Sequence, residues 1–478
     1  MGAGTRSSPT LEYNSLKPLG NFSTHRYRCN LIDSFEPRWH KYGDTPQLGV
    51  SQMGQKLFIN VSVFDGSGMP PFFGEVLVQG NRIKAVAKGR DQIKADDAEV
   101  VDGGGAMLMP GLTEAHAHLS FTNCKSVLEI GDLPVEEHTL LTARHAKLLL
   151  DCGFTSCFSA ASAKPRLDIV IRNEINAGLL PGPRLRAASP EITASGGLGD
   201  VRQLHKDHHS AEIIADGPDE LRRVVRTMVR EGVDTIKINL SGDNWVRPGF
   251  SEAVTYTDAE VAAAAEQAKE HSVKLACHAH ATRAIKLALK YDFDVIYHCE
   301  YADEQALDAL EAKKDKVFVA PTIGSSWAYT YEAEPWGITT EIAERNGMLV
   351  TIERACDVYR KMRKRGIRAL PGGDYGFAWN PIGNNARDLE HFVKLFDYPP
   401  SEVLRAATKY GGELMGMGDE LGQIKEGYLA DMLLVDGDVV ADVKLLQERD
   451  NLLMIMKDGV YHKAPVPRRH RHTQVAAE

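Results

Sequence analysis

Cysteine is scarce in this chain, and none of it is paired by spacing. Its 478 residues hold 7 Cys, an odd number scattered from Cys29 to Cys356 with no Cys-x-x-Cys, which argues against a disulfide framework and a zinc ribbon. The thiols are read as reduced. Long apolar runs are also missing: no stretch of about 18 apolar residues occurs, and the start, MGAGTRSSPTLEY, lacks the apolar core of a secretory signal. A cytoplasmic protein without a membrane partner is expected. Positive charge is in deficit, with a formal net charge of -9, so the concentrated basic surface that a general nucleic-acid binder needs is absent. The one basic cluster, Arg468 to His472, lies in a polar tail and is read as solvated. What is present, 43% hydrophobic and 25% charged residues, is the composition of an ordinary globular protein.

From Lys56 to Met107 short strands and turns follow one another: KLFINVSVFDG, then GEVLVQGNRIKAVAKG, where Gly-Asn marks a hairpin, then AEVVDGGGAMLMPG. A second strand-rich piece, GYLADMLLVDGD and LLMIMKDGVYHK, lies near the other end. Residues 56–108 and 416–464 are therefore expected to join as one small β-sandwich domain. Between them, in 109–415, apolar runs alternate with helical patterns. The runs are Leu112 to His118, Gly153 to Phe158, Arg184 to Ser189, Asp234 to Leu240, Val273 to His278, Phe293 to His298, Lys316 to Pro321 and Ile367 to Gly372. The helical stretches DELRRVVRTMVREG, DAEVAAAAEQAKEHS and DEQALDALEAKK each open on an Asp suited to an N-cap. The fold expected is α/β, a (β/α)8 TIM-like barrel, whose chemistry gathers at the C-terminal ends of its strands. Residues 1–55 are an N-terminal extension without clear periodicity, and 465–478 are expected to be a disordered tail.

Ligand-type residues fall at those strand ends. His116 and His118 close the first run, and positions two apart on a strand share a face. His278 closes the fifth, His298 the sixth, and Asp374 follows the eighth; imidazole and carboxylate suit zinc and related divalent ions. Lys237, in DTIKINLSG, has two readings: an ammonium reaching solvent, or an amine that takes up CO2 and becomes a metal-bridging carbamate. His280 shares the orientation of His278 and either contacts a substrate carbonyl or supports the ligands from behind. Cys277 and Cys299 alternate away and are read as core.

These segments resemble the amidohydrolase superfamily. MPGLTEAHAHLS is similar to its first-strand motif, DTIKINLSG to its carboxylated-lysine strand, LACHAHAT and IYHCEYAD to its fifth- and sixth-strand histidine motifs, and LPGGDYG to its eighth-strand aspartate motif. The branch they most resemble holds Xaa-Pro dipeptidases, the ochratoxin-hydrolysing amidase, and molinate and phenylurea hydrolases. The resemblance implies two divalent metal ions, zinc expected and cobalt or manganese the alternatives. One would be held by His116, His118 and Asp374, the other by His278 and His298, with carboxylated Lys237 bridging. It also implies C-N bond hydrolysis by metal-activated hydroxide, with Asp374 as proton shuttle and His280 as a second catalytic group. One departure concerns substrate: peptidase-type members tend to carry Gly-His-Gly after the third strand, where this chain has Gly197, Leu198 and Gly199.

Aromatic residues follow predicted strands four, seven and eight, and Trp245, Trp327, Trp379 and Phe377 are taken as candidate substrate contacts, the alternative being that these loops pack on one another. A dipeptide's carboxylate needs a fixed cation, and Arg247 is the one strong candidate there. A small-molecule amide, urea or (thio)carbamate with apolar substituents, such as a phenylurea or molinate-type compound, is therefore preferred. A Xaa-Pro-type dipeptidase and a non-catalytic scaffold are the alternatives, and a homo-oligomer is expected.

Overall fold

A computed structural model describes residues 54–206 and 210–466. The expected N-terminal extension, Cys29 and most of the expected tail lie outside the described residues.

Strands from both ends of the chain share one eight-stranded sheet. Its junction is Met107–Pro110, which pairs parallel to Gln55–Val63 and antiparallel to Met432–Val435. Hydrogen bonding thus runs through the two pieces in a single sheet. Strand alternation sorts the side chains: Leu108, Met432, Leu434 and Met454 enter one apolar cluster with Phe58, Val76 and Ile83, while Met107, Met109, Leu433 and Ile455 enter the larger core. The Gly80-Asn81 pair forms the expected two-residue hairpin, with Gln79 opposite Arg82 and Gly80 at φ +61.

The middle of the chain alternates parallel strands with helices. Leu112–Ala117, Phe154–Ser159 and Arg184–Arg186 form a three-stranded sheet. Ala188–Thr193, Thr235–Asn239, Lys274–Ala279, Val295–His298 and Phe318–Ala320 form a parallel succession in a six-stranded sheet with the short Ile213–Ile214 on its edge. Two expectations are corrected here. The third run divides at Ala187, its first half pairing with one sheet and the next strand with the other. The eighth run, Ile367 to Gly372, forms no named strand: Val319 donates to Arg368 O at 3.0 Å and accepts from Leu370 N at 2.9 Å. The ladder then stops, because Pro321 has no N–H to give and Gly372 N donates to Asp388 Oδ2 at 3.2 Å instead. Isolated bridges Val319 to Ala369 and Ala117 to Tyr375 tie this segment to both sheets.

Only one of the three Asp caps forms as expected, Asp303 accepting from Ala306 N at the start of Glu304–Ala312. In Asp258–Glu270 the cap moves to Thr257, which makes a reciprocal capping box with Glu260. In Pro218–Glu231 proline takes the first turn and Gly217 precedes it. Among the described residues no helix is long and apolar enough to cross a membrane.

Candidate active site

The ligand-type residues arrive where the strands end. His116 lies in Leu112–Ala117 and His118 just beyond it, their ring centroids 5.0 Å apart. His278 lies in Lys274–Ala279 with His280 following. His298 closes Val295–His298. His298 and Asp374 have φ +77 and +57, the left-handed region in which a non-glycine residue is uncommon and strained. The surrounding fold therefore holds these two residues against their local preference.

Two groups of potential ligands result, His116, His118 and Asp374 in one, and His278, His280 and His298 in the other; within each, the ligand atoms lie within 4.8 Å of one another. The groups abut, since the His116 and His298 ring centroids are 5.7 Å apart.

Neighbouring oxygens select which ring nitrogen is left open. His118 Nδ1 faces the Ala161 carbonyl at 3.2 Å, which can only accept, so in the neutral ring Nε2 carries the lone pair, 3.1 Å from Asp374 Oδ1. His278 Nε2 likewise donates to Gly242 O at 3.1 Å. Thr322 donates its hydroxyl hydrogen to Pro321 O, so it accepts from His298 Nδ1 at 2.7 Å. That leaves His298 Nε2 buried without a partner, as is His116 Nδ1. Such orphaned atoms are rare in interiors and call for an explanation. Burial, reinforced by the surrounding cationic and imidazole groups, holds His116, His278 and His298 well below the ordinary histidine range, so they are neutral, the form that binds metal. Lone pairs of neutral imidazoles beside a carboxylate fit a divalent ion.

His280 is different. Its Nδ1 donates to Glu300 at 2.6 Å and its Nε2 to Asp243 at 3.1 Å. Burial lowers its pKa, but Glu300 and Asp243 outweigh that and push it up to about 10. As an imidazolium with both nitrogens engaged it has no free donor for a substrate carbonyl and no lone pair for an ion. The supporting reading is therefore the one its contacts favour.

Lys237 is fully buried in Thr235–Asn239, which excludes the solvent-reaching ammonium. It pairs with Glu191 at 3.1 Å and sits 4.9 Å from the Tyr297 ring centroid. Burial raises the Glu191 pKa, yet Lys237, His118 and hydrogen bonds from Asn239 and Lys237 together hold it below the ordinary range.

Among the aromatic candidates, Trp245 and Phe377 line the cleft over the ligand groups together with Phe121, their rings 4.7 Å apart and edge-on. Trp379 stacks behind Phe377 at 5.4 Å. Trp327 is not brought to the cleft; it lies on Ile323–Tyr331 against Tyr331 and His391. Arg247 is exposed and stacked on Phe250, so it offers no fixed cation in the cleft. Cys277 and Cys299 are buried in the core, as expected.

Sequence reasoning missed Glu191, Glu212, Asp243 and Glu300, of which the first three line the cleft. Asp243 and Glu300 had one available signal, since each follows a strand carrying a candidate ligand by a few residues.

Residues 107–461 match the family described as the amidohydrolase family. The chain is 25% identical to ochratoxinase from Aspergillus niger over 392 residues, 75% of this chain and 76% of that protein. A solved Xaa-Pro dipeptidase with methionine in its active site superposes with TM-score 0.74 at 25% identity, covering 86% of this chain and all of the other. Phenylurea hydrolase B shares the fold, with TM-score 0.69 at 21% identity over 87% of this chain and 100% of that one.

Proposed function

The chain belongs to the amidohydrolase family of hydrolases, and from that premise we propose that it cleaves a C-N bond in an amide, urea or (thio)carbamate with apolar substituents, a phenylurea or molinate-type compound being the leading class. The observation that carries this reading is the pair of abutting ligand groups under an aromatic wall, with buried imidazole nitrogens left open.

His116, His118 and Asp374 would hold one divalent ion and His278 and His298 a second, zinc being the first choice for such donors. An ion bound there supplies Lewis acidity, polarising a carbonyl and lowering the pKa of water from about 15.7 to about 7. Carboxylation of Lys237 is part of the proposal: its buried side chain lines the same cleft as both groups, and Glu191 is the partner it would leave.

The chain's own groups do the rest. Asp374, its Oδ1 at 3.1 Å from His118 Nε2 and 3.7 Å from His116 Nε2, takes the proton of the attacking water and passes it to the departing nitrogen. His280, fixed between two carboxylates, keeps His278 and His298 in place. Trp245, Phe377 and Phe121 exclude water and bind the apolar substituents.

The likeness to a Xaa-Pro dipeptidase supports a second reading, which the exposed position of Arg247 disfavours. One experiment separates the readings: metal content per chain, followed by a panel of anilides, ureas, thiocarbamates and dipeptides assayed for released amine. Close to two ions and turnover of ureas or thiocarbamates is expected. Turnover of dipeptides alone selects the second reading, and a metal-free protein inert on the whole panel would mark a scaffold. Lys237→Ala should lose metal and activity, with partial recovery in formate; full activity there would end the carbamate proposal.

A further inference from the structure

The backbone of Asp374 stands at φ +57, and such a conformation persists only where its surroundings over-determine it. Part of the hold comes from Asn380, whose Nδ2 donates to Gly373 O at 2.9 Å and to Asp374 O at 3.3 Å. The rest comes from an acid that the chemistry above leaves unused. Asp388, second residue of Arg387–Phe396, is fully buried. Its Oδ2 accepts from Gly372 N at 3.2 Å and its Oδ1 from the Tyr375 hydroxyl at 3.2 Å, so one carboxylate grips the chain on both sides of Asp374. His391 Nδ1, one turn further along the same helix, lies 3.3 Å from that Oδ1.

Two glycines make room for this acid. A Cβ at Gly373 would lie 2.7 Å from Asp388 Oδ1 and 2.8 Å from Oδ2, and a Cβ at Gly324 would lie 2.6 Å from Oδ1. Gly324 belongs to the helix Ile323–Tyr331, where glycine is disfavoured relative to alanine. The approach of the carboxylate gives the reason for it. Charge matters here as well as shape: the hydrogens of Gly372 and Tyr375 point at different oxygens, and an amide of the same size offers only one accepting oxygen. Asn in place of Asp388 must therefore set its NH2 group against one of these donors.

We propose that Asp388 is a positioning residue: its carboxylate fixes the 372–375 turn so that Asp374 Oδ1 stays where it serves His118 and His116. This rests on the hydrolytic reading above and is tested both with and without turnover. On the metal-loaded enzyme, Asp388→Asn should lower kcat for one aryl urea about 10- to 100-fold, the range for a group that orients a ligand from behind, with KM little changed. Its affinity for one of two zinc ions, read by chelator competition, should fall by a similar factor. Because the effect runs through Asp374, adding Asp388→Asn to Asp374→Asn should change neither quantity by more than about twofold. A residue needed only for folding would add its loss in both backgrounds. Should Asp388→Asn not fold, Tyr375→Phe, which removes one of the gripped hydrogens, should give the same pattern at smaller amplitude. If no urea is hydrolysed but zinc affinity follows this pattern, the proposed reaction falls and the role of Asp388 stands. Equal losses in the two backgrounds, or kcat and zinc affinity unchanged in Asp388→Asn, overturn it.

Discussion

Replacing Asp374 by Asn removes one negative charge and one proton-accepting oxygen while keeping the shape of the side chain. Asp374 Oδ1 lies 3.1 Å from His118 Nε2 and 3.7 Å from His116 Nε2, so a single oxygen serves both imidazoles. Its φ of +57 is a conformation that Asn tolerates as readily as Asp. The Asn amide can donate to His118 Nε2, so the metal-free fold should lose no more than about 1 kcal/mol, the net worth of one hydrogen bond. Turnover is another matter. A positioned acid-base group contributes about 100- to 10,000-fold, equivalent to about 2.7 to 5.4 kcal/mol of barrier. The assay is kcat and KM on one urea substrate, with metal content and Tm measured on the same preparation. A fall in kcat with KM little changed is the expected pattern, since the lost interaction belongs to the transition state. If Asp374→Asn keeps its metal and turns over within about threefold of wild type, well short of that range, Asp374 does not move the proton.

Four further substitutions test other parts of the structure. Gly372→Ala would place a Cβ 2.8 Å from His116 N and 2.9 Å from His116 Cβ, so metal content should drop and kcat should fall about 100-fold, as for a ligand displaced by about 1 Å; unchanged metal content and activity would refute this. Trp245→Ala should raise KM for an aryl urea over that for a small alkyl one by about 2- to 10-fold, the value of an aromatic pair, while Trp327→Ala should leave that ratio alone; equal effects of the two would return Trp245 to a packing role. Hydrogen bonds from Arg387, at 2.6 Å to Oε2, hold Glu332 below the ordinary carboxylate range against its partial burial. This contribution is present above the unfolded-state pKa and is lost as pH falls through the folded one. Glu332→Gln should therefore lower Tm at pH 7 by a small amount, no more than about 1 kcal/mol for a part-exposed pair, and the gap should close under acid; a gap that widens at low pH would contradict the assignment.

How much of this was legible in the sequence depended on whether local pattern or tertiary pairing decided the outcome. His116 and His118 could be placed on one face because strand alternation is a local rule, and Leu112–Ala117 obeys it. The Gly80-Asn81 hairpin was readable for the same reason. The break at Ala187 was not, because apolar content alone cannot say that two halves of one run will pair with different sheets. Nor could the eighth run be distinguished from a strand. Trp327 and Trp379 both follow strand-like runs, yet a helix carries the first toward His391 while a short loop keeps the second behind Phe377. Distance along the chain from a strand end was a poor guide to distance from the cleft.

The buried acids were the least legible part of the site, and they explain its electrostatics. A charge in an interior persists only when paired, and here pairing sorts the groups into two kinds. Lys237 with Glu191, and His280 with Asp243 and Glu300, are charged and mutually compensated. His116, His278 and His298 are held neutral by burial and by their cationic neighbours. Two divalent ions entering this arrangement would bring a surplus of positive charge into a space that already holds the Lys237 cation. Carboxylation answers that surplus at its source, because it turns Lys237 itself from a cation into an anion and releases Glu191 to face the incoming charge. Without it, every ion bound would sit beside an ammonium. The same groups that make an unmodified lysine stable in the metal-free protein thus make it a poor neighbour for two ions, which is the physical reason to expect metal loading and modification of Lys237 to proceed together.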